Sequence, residues 1–375
     1  MAAEILSCEV DKILNALFDP WIIEDKETIA RDILKDIIND SVKEAEEVKA
    51  HLEEAKEPKH RLPLLEQLLS LLGTSRVNPI LSGYFFKIIE VFIERKQLDF
   101  LAYIFGFKEH VENLLVHIYD RHIADTIKKI VSNEDRYFAG TTGNEFIYEK
   151  MLIIDKLIDM LDASNPPESI RNSSYVLCDL IKGKQHLEYF NEGKVLKRIF
   201  SVVTSGNACS LCAGIEYLTE LLKLNAIGST TANTDNLYFI GYDNFEQIEE
   251  NNEKKLDYKE LMILAAGCLP ILKELLTKKG EIKYETQFGA KILPFGGDRV
   301  KVINFLHALM EIKDDIFCQR FQELEMPSLL LELMEIYYMN TILHTSICKI
   351  FTDSIKSGTG FLIDMVIFNV NIVYS

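Results

Sequence analysis

The chain has 375 residues, 48% of them apolar and 10% aromatic, with a formal net charge of −17 at pH 7. That apolar share can fill a continuous core and excludes global disorder. The acidic balance argues against sequence-independent binding to nucleic acid or to anionic membranes, since both rely on a Lys/Arg excess. The length admits two or three globular domains or one elongated repeat domain.

Residues 1–60 read as an acidic helical N-terminal segment, with carboxylates dense from Asp19 to Glu57 and Trp21, the sole tryptophan, as a packing anchor. The opening Met-Ala-Ala-Glu has no basic stretch and no early apolar run, so no secretory signal is expected. From Leu62, short amphipathic helices begin. Leu62, Leu65, Leu69 and Leu72 share a face that Leu64 and Leu68 widen, and Gly73 ends the helix. Asn78 is placed to N-cap the next helix, with Pro79 at its first position. Its apolar face runs through Leu81, Tyr84, Phe85, Ile88, Ile89 and Phe92, and it exits at Glu94-Arg95-Lys96. A second helix ends at Gly106, and a third carries Val111, Leu114, Leu115 and Ile118.

A stripe through Met151, Ile154, Leu157, Ile158 and Leu161 closes at Asp162–Pro167, where Pro166-Pro167 stops one helix and can start another. Further stripes run through 195–203, 211–224, 261–276, 300–312, 328–338 and 342–355. Period-two alternation is rare, with Leu237–Tyr242 the best case. The class is therefore all-α. Helix pairs at about 40-residue spacing point to an irregular HEAT/armadillo-like α-solenoid over residues 61–357. A polar acidic loop at 225–257 and a Gly-rich segment at 280–299 interrupt it, and residues 358–375 form a short apolar C-terminal tail.

Catalytic signatures are not found. Cys209-Ser-Leu-Cys212 has C-x-x-C spacing but no second ligand pair, so these are read as core thiols. The other cysteines (Cys8, Cys178, Cys268, Cys318 and Cys348) form no dense disulfide framework and suit a reducing compartment. Gly140-Thr-Thr-Gly143 and Gly296-Gly297 lack the context of phosphate loops and are expected to be turns. Asp120-Arg-His122 has the Asp-x-His spacing of a metallophosphatase, without the glycines and further metal ligands that would complete a dinuclear site. No catalytic, cofactor or metal residue is assigned.

Two blocks carry a resemblance. In the first, Asn78-Pro79, Phe86-Lys87, Arg95-Lys96, Val111, Leu114-Leu115, His117-Ile118, Ile123 and Asp125 occur in order. In the second, Pro294, Gly297 and Arg299 precede Val302-Ile303, then Leu324-Glu325, Asn340 and Leu343-His344. Asn172-Ser173 with Leu177-Cys178 lies between them. This order resembles the SAPS-domain family, regulatory subunits of protein phosphatase 6-type serine/threonine phosphatases, over about residues 60–352. The chain departs from the pattern at Tyr119-Asp120-Arg121, where the family usually has Gly-Thr-Ser.

The resemblance implies a non-enzymatic regulatory or scaffold subunit, cytoplasmic and also nuclear. Such a subunit binds a protein phosphatase 6-like catalytic subunit and directs its substrate choice. In some relatives an ankyrin-repeat protein is a third partner. The alternative is an α-solenoid adaptor in trafficking or transport with no phosphatase partner. Among the polar motif residues, Arg95, Lys96 and Arg299 are expected to face the partner, with Arg299 in an exposed turn. Asn340 and His344 are expected to hold the array's geometry.

Overall fold

A computed structural model of the chain describes residues 61–132, 146–205, 207–229, 258–278, 284–285, 289 and 291–356. The N-terminal segment, Trp21, Cys8, Gly140–Gly143, most of the polar loop with Leu237–Tyr242, and the tail from 358 lie outside these residues. The described residues form fifteen α-helices, one 3-10 turn and one two-stranded antiparallel hairpin, so the class is all-α. Contacts divide the chain into two compact units, residues 1–159 and 160–375.

In the first unit α1 (Pro63–Leu69) runs into a 3-10 turn (Ser70–Gly73). Leu65, Leu69 and Leu72 are buried as their spacing requires, but Leu64 is exposed, so the apolar face is narrower than expected. The helix α2 (Pro79–Arg95) starts where Asn78 Oδ1 accepts the Ile80 N–H at 2.9 Å, with Pro79 at the first position. It lies along α5 (Arg121–Ser132), and the two bury Phe85, Ile88, Ile89, Ile123, Ile127 and Ile130. The helices α3 (Gln97–Gly106), α4 (Lys108–Val116) and α6 (Ile147–Asp159) complete the unit. Ile118 is buried from the turn after α4 rather than from the helix.

At the departure from Gly-Thr-Ser, the turn is held by its own side chains. The Tyr119 hydroxyl accepts the Val77 N–H at 3.0 Å and meets His117 Nδ1 at 3.2 Å, while His117 Nε2 bonds the Leu72 carbonyl at 2.9 Å. Asp120 caps α5, its carboxylate accepting from the His122 and Ile123 N–H groups. The Asp-x-His pair is therefore an N-cap and a ring stacked beside Phe86.

The second unit contains α7 (Pro167–Lys182), the single turn α8 (Leu187–Phe190), α9 (Gly193–Val203), α10 (Ala208–Ser229) and α11 (Tyr258–Thr277). The hairpin of β1 (Tyr284–Glu285) and β2 (Lys291–Ile292) follows; its short pairing was not evident in the Gly-rich sequence. Then come α12 (Gly297–Met310), α13 (Asp315–Glu323), α14 (Met326–Ile336) and α15 (Thr341–Lys356). Helices α7, α10, α12 and α15 pack side by side in one layer, and α9, α11 and α13 form a second. This double layer is how HEAT and armadillo arrays bury stripes that no single helix pair could cover. Gly214 permits the close crossing of α9 and α10, because a Cβ there would stand 2.7 Å from Val203 Cγ2. The first five residues of the expected polar loop, 225–229, belong to α10.

Candidate functional site

The second motif block closes into one structural node. Gly296, with φ of +87°, turns the chain sharply before α12, and this puts Arg299 in the helix's first turn. Arg299 is only 9% exposed, so the expectation that it lies in an exposed turn is corrected. Its guanidinium donates to the carbonyls of Phe295 (2.5 Å), Lys278 (2.8 Å) and Pro294 (3.0 Å), and to the Tyr337 hydroxyl (3.1 Å). It also lies over the rings of Phe295 and Tyr337, 4.4 Å and 5.2 Å from their centroids.

The physical reason is a shortage of donors. Lys278 follows the last residue of α11, where carbonyls lack intrahelical partners, and the Pro294-Phe295 turn adds two more. A planar cation with five N–H groups can satisfy all three at once, and a lysine could not. Arg299 thus ties the end of α11, the turn before α12 and the end of α14 together. Sequence inspection missed its two aromatic walls; Phe295 next to Pro294 and Tyr337 three residues before Asn340 were the available signals.

Beside this node is a cleft of about 340 Å³ lined by Tyr284, Leu293, Phe295, Tyr337 and Ile342, among others. Tyr284, Met339 and Ile342 expose more than half their surface at its rim, an apolar lip on an acidic chain. Asn340, which lines the cleft, and His344, one turn further on, hold helix ends in place, as expected. Asn340 Oδ1 caps α15 by accepting the Leu343 N–H at 3.0 Å, and His344 Nε2 bonds the Met334 carbonyl of α14 at 3.1 Å.

The other two expected partner-facing residues lie in the first unit. Arg95 is the exposed last residue of α2, and Lys96 is the half-buried junction with α3, its N–H bonded to the Phe92 carbonyl at 2.7 Å. Lys87 is exposed on the same helix. These positions leave cationic side chains at the surface of a chain dominated by carboxylates.

Four thiols of the second unit, Cys178, Cys212, Cys268 and Cys318, are core groups, whereas Cys348 is exposed and Cys209, expected in the core with Cys212, is only half-buried. Burial, with the nearby Glu216 carboxylate, pushes Cys178 up to about 12, and burial beside Asp298 does the same for Cys212. Cys268 and Cys318 rise to about 11 for the same first reason. None carries an appreciable thiolate fraction at neutral pH, which removes the nucleophile that redox exchange requires.

The model of the SAPS family, described as SIT4 phosphatase-associated protein, matches residues 89–369. The serine/threonine-protein phosphatase 6 regulatory subunit 1 of Mus musculus is 22% identical over 320 residues, covering 79% of this chain and 37% of its own length. Its Homo sapiens counterpart is 23% identical over 309 residues, covering 76% and 34%. Regulatory subunit 3-B of Xenopus laevis is 23% identical over 305 residues, again covering 76% and 34%. The chain spans about a third of the length of these curated relatives. No helix among the described residues is long and apolar enough to cross a membrane. With a family match across most of its length, the chain belongs to the SAPS family.

Proposed function

We propose that this chain is a non-catalytic regulatory subunit that binds a protein phosphatase 6-like serine/threonine phosphatase catalytic subunit and directs its substrate choice. The family match over residues 89–369 carries this reading, and the phosphatase-subunit names of the relatives support it. The metals and the hydrolytic step belong to the partner. The layered helices of the second unit supply the extended surface that holding a folded partner requires. An ankyrin-repeat protein as third subunit, and action in the cytoplasm and nucleus, extend the same proposal.

Arg95 and Lys96 are the proposed contact residues. Arg95 ends α2 at the surface and Lys96 follows it at the half-buried junction with α3, and charge-assisted bonds from such positions add specificity. Arg299 supports the fold of the second unit instead, since its donors are already engaged. Affinity capture of the chain from cells, followed by a phosphatase assay of the eluate, tests the proposal. Okadaic-acid-sensitive activity should co-elute with the parent chain and fall with Arg95→Glu and Lys96→Glu at unchanged melting temperature. An eluate without phosphatase would favour the adaptor alternative; hydrolysis by the purified chain alone would show an enzyme.

A further inference from the structure

We propose that His307, Glu311 and Asp353 form a binding site for a first-row divalent metal ion, zinc being the best match, which clasps the C-terminal end of α12 to that of α15. His307 and Glu311 are four residues apart and share one face of α12 and its C-cap. Asp353 stands in the last turn of α15, which packs against α12. One ligand atom from each residue lies within 4.8 Å of the other two. His307 Nε2 and Asp353 Oδ2 are already 2.9 Å apart. In a tetrahedral zinc site with bonds of about 2.0–2.1 Å, adjacent ligand atoms are about 3.3 Å apart. The His–Asp pair is therefore close to coordinating geometry, with a carboxylate oxygen of the exposed Glu311 within 4.8 Å of both atoms.

The electrostatics argue for a cation independently of the spacing. Both carboxylates sit at helix C-termini, where the backbone presents partial negative charge and an acidic side chain is disfavoured. Among the described residues, neither Glu311 nor Asp353 has a Lys or Arg within ion-pair distance; His307 is Asp353's only basic partner. Two helix ends and two carboxylates thus converge on one imidazole. A divalent ion would offset this charge, with His307 bound through Nε2 and a water in the fourth position. The imidazole and the small ligand number favour zinc over calcium, which takes six to eight oxygens, and over magnesium, which holds its waters. This site is independent of the phosphatase reading. The spacing H-x-x-x-E is too common to be noticed in sequence, and the third ligand is 42 residues beyond Glu311.

Titration of the full-length, metal-stripped chain with cobalt(II) chloride, followed by zinc chloride competition, tests the proposal. One equivalent should bind with ligand-field bands, no thiolate charge transfer, and displacement by zinc. Affinity should fall at least about tenfold in His307→Ala and in Glu311→Gln. Glu311 is exposed, so the second variant keeps its fold, which far-ultraviolet circular dichroism verifies. Absence of stoichiometric binding at tens of micromolar metal, binding unchanged in both variants, or a thiolate signature would each overturn the assignment.

Discussion

Replacing Arg299 by alanine separates a fold-supporting role from partner contact. The change removes four donated hydrogen bonds and two ring contacts. The bonds to Phe295 and Tyr337 are buried, and a hydrogen bond involving a charged group is worth about 1.5–3 kcal/mol. The Lys278 and Pro294 carbonyls are partly reachable by water, so their loss counts for less. Stacking on the rings adds about 1 kcal/mol. Allowing for non-additivity within one cluster, the expected loss is about 3 kcal/mol. For a domain of this size that is a fall of roughly 6–12 °C in melting temperature. Arg299→Lys keeps the charge but not the fork, and should cost about half as much. Differential scanning calorimetry of the purified chain gives the measurement. A parent-like melt for Arg299→Ala, together with lost phosphatase co-purification, would refute the structural role and restore Arg299 as a contact residue.

Three further outcomes are expected. Gly214→Ala should destabilise the chain by about 1 kcal/mol in urea unfolding, because overpacking against Val203 outweighs the gain in helix propensity; a stabilised variant would show that α9 and α10 separate freely. Under native conditions near neutral pH, a thiol reagent should label the exposed Cys348 well before Cys178, Cys212, Cys268 or Cys318, read by peptide mass mapping. For Glu66, burial pushes the carboxyl up, but the Tyr103 hydroxyl, His110 and Arg61 together outweigh it and hold the group below its usual 4.5. A lowered folded value means the stabilisation is present above 4.5 and disappears as pH falls through the lowered value. The melting temperature of the parent should therefore drop more steeply below pH 4.5 than that of Glu66→Gln, and parallel curves would contradict this.

Much of the fold was legible because it depends on local rules. Asn78-Pro79 marks a helix start wherever it occurs before an apolar stripe, and Pro166-Pro167 separates two helices by backbone geometry alone. The burial of Cys178 and Cys212 followed from apolar periodicity, as did the face of α6 and the C-terminal part of that of α2, whereas Leu81 and Tyr84, expected on the same α2 face, are exposed. What was misread depends on contacts distant in sequence. Arg299 looked exposed because it follows two glycines and an aspartate; the carbonyls that bury it come from Lys278, on the far side of the hairpin, and from the adjoining turn. Leu64 fits the apolar face by spacing, yet the neighbours that would cover it are decided by the packing of other helices. The cleft was invisible for the same reason, since Tyr284, Phe295 and Ile342 meet only after α12 to α15 have stacked.

The central claim is that this chain grips a phosphatase catalytic subunit, and mixing the two purified proteins tests it most directly. Size-exclusion chromatography with light scattering should show a one-to-one complex of the full chain with a protein phosphatase 6-type catalytic subunit. The Arg95→Glu, Lys96→Glu double variant, folded like the parent, should shift that equilibrium toward free components. Separate elution of the parent chain and the catalytic subunit at micromolar concentration would contradict the account.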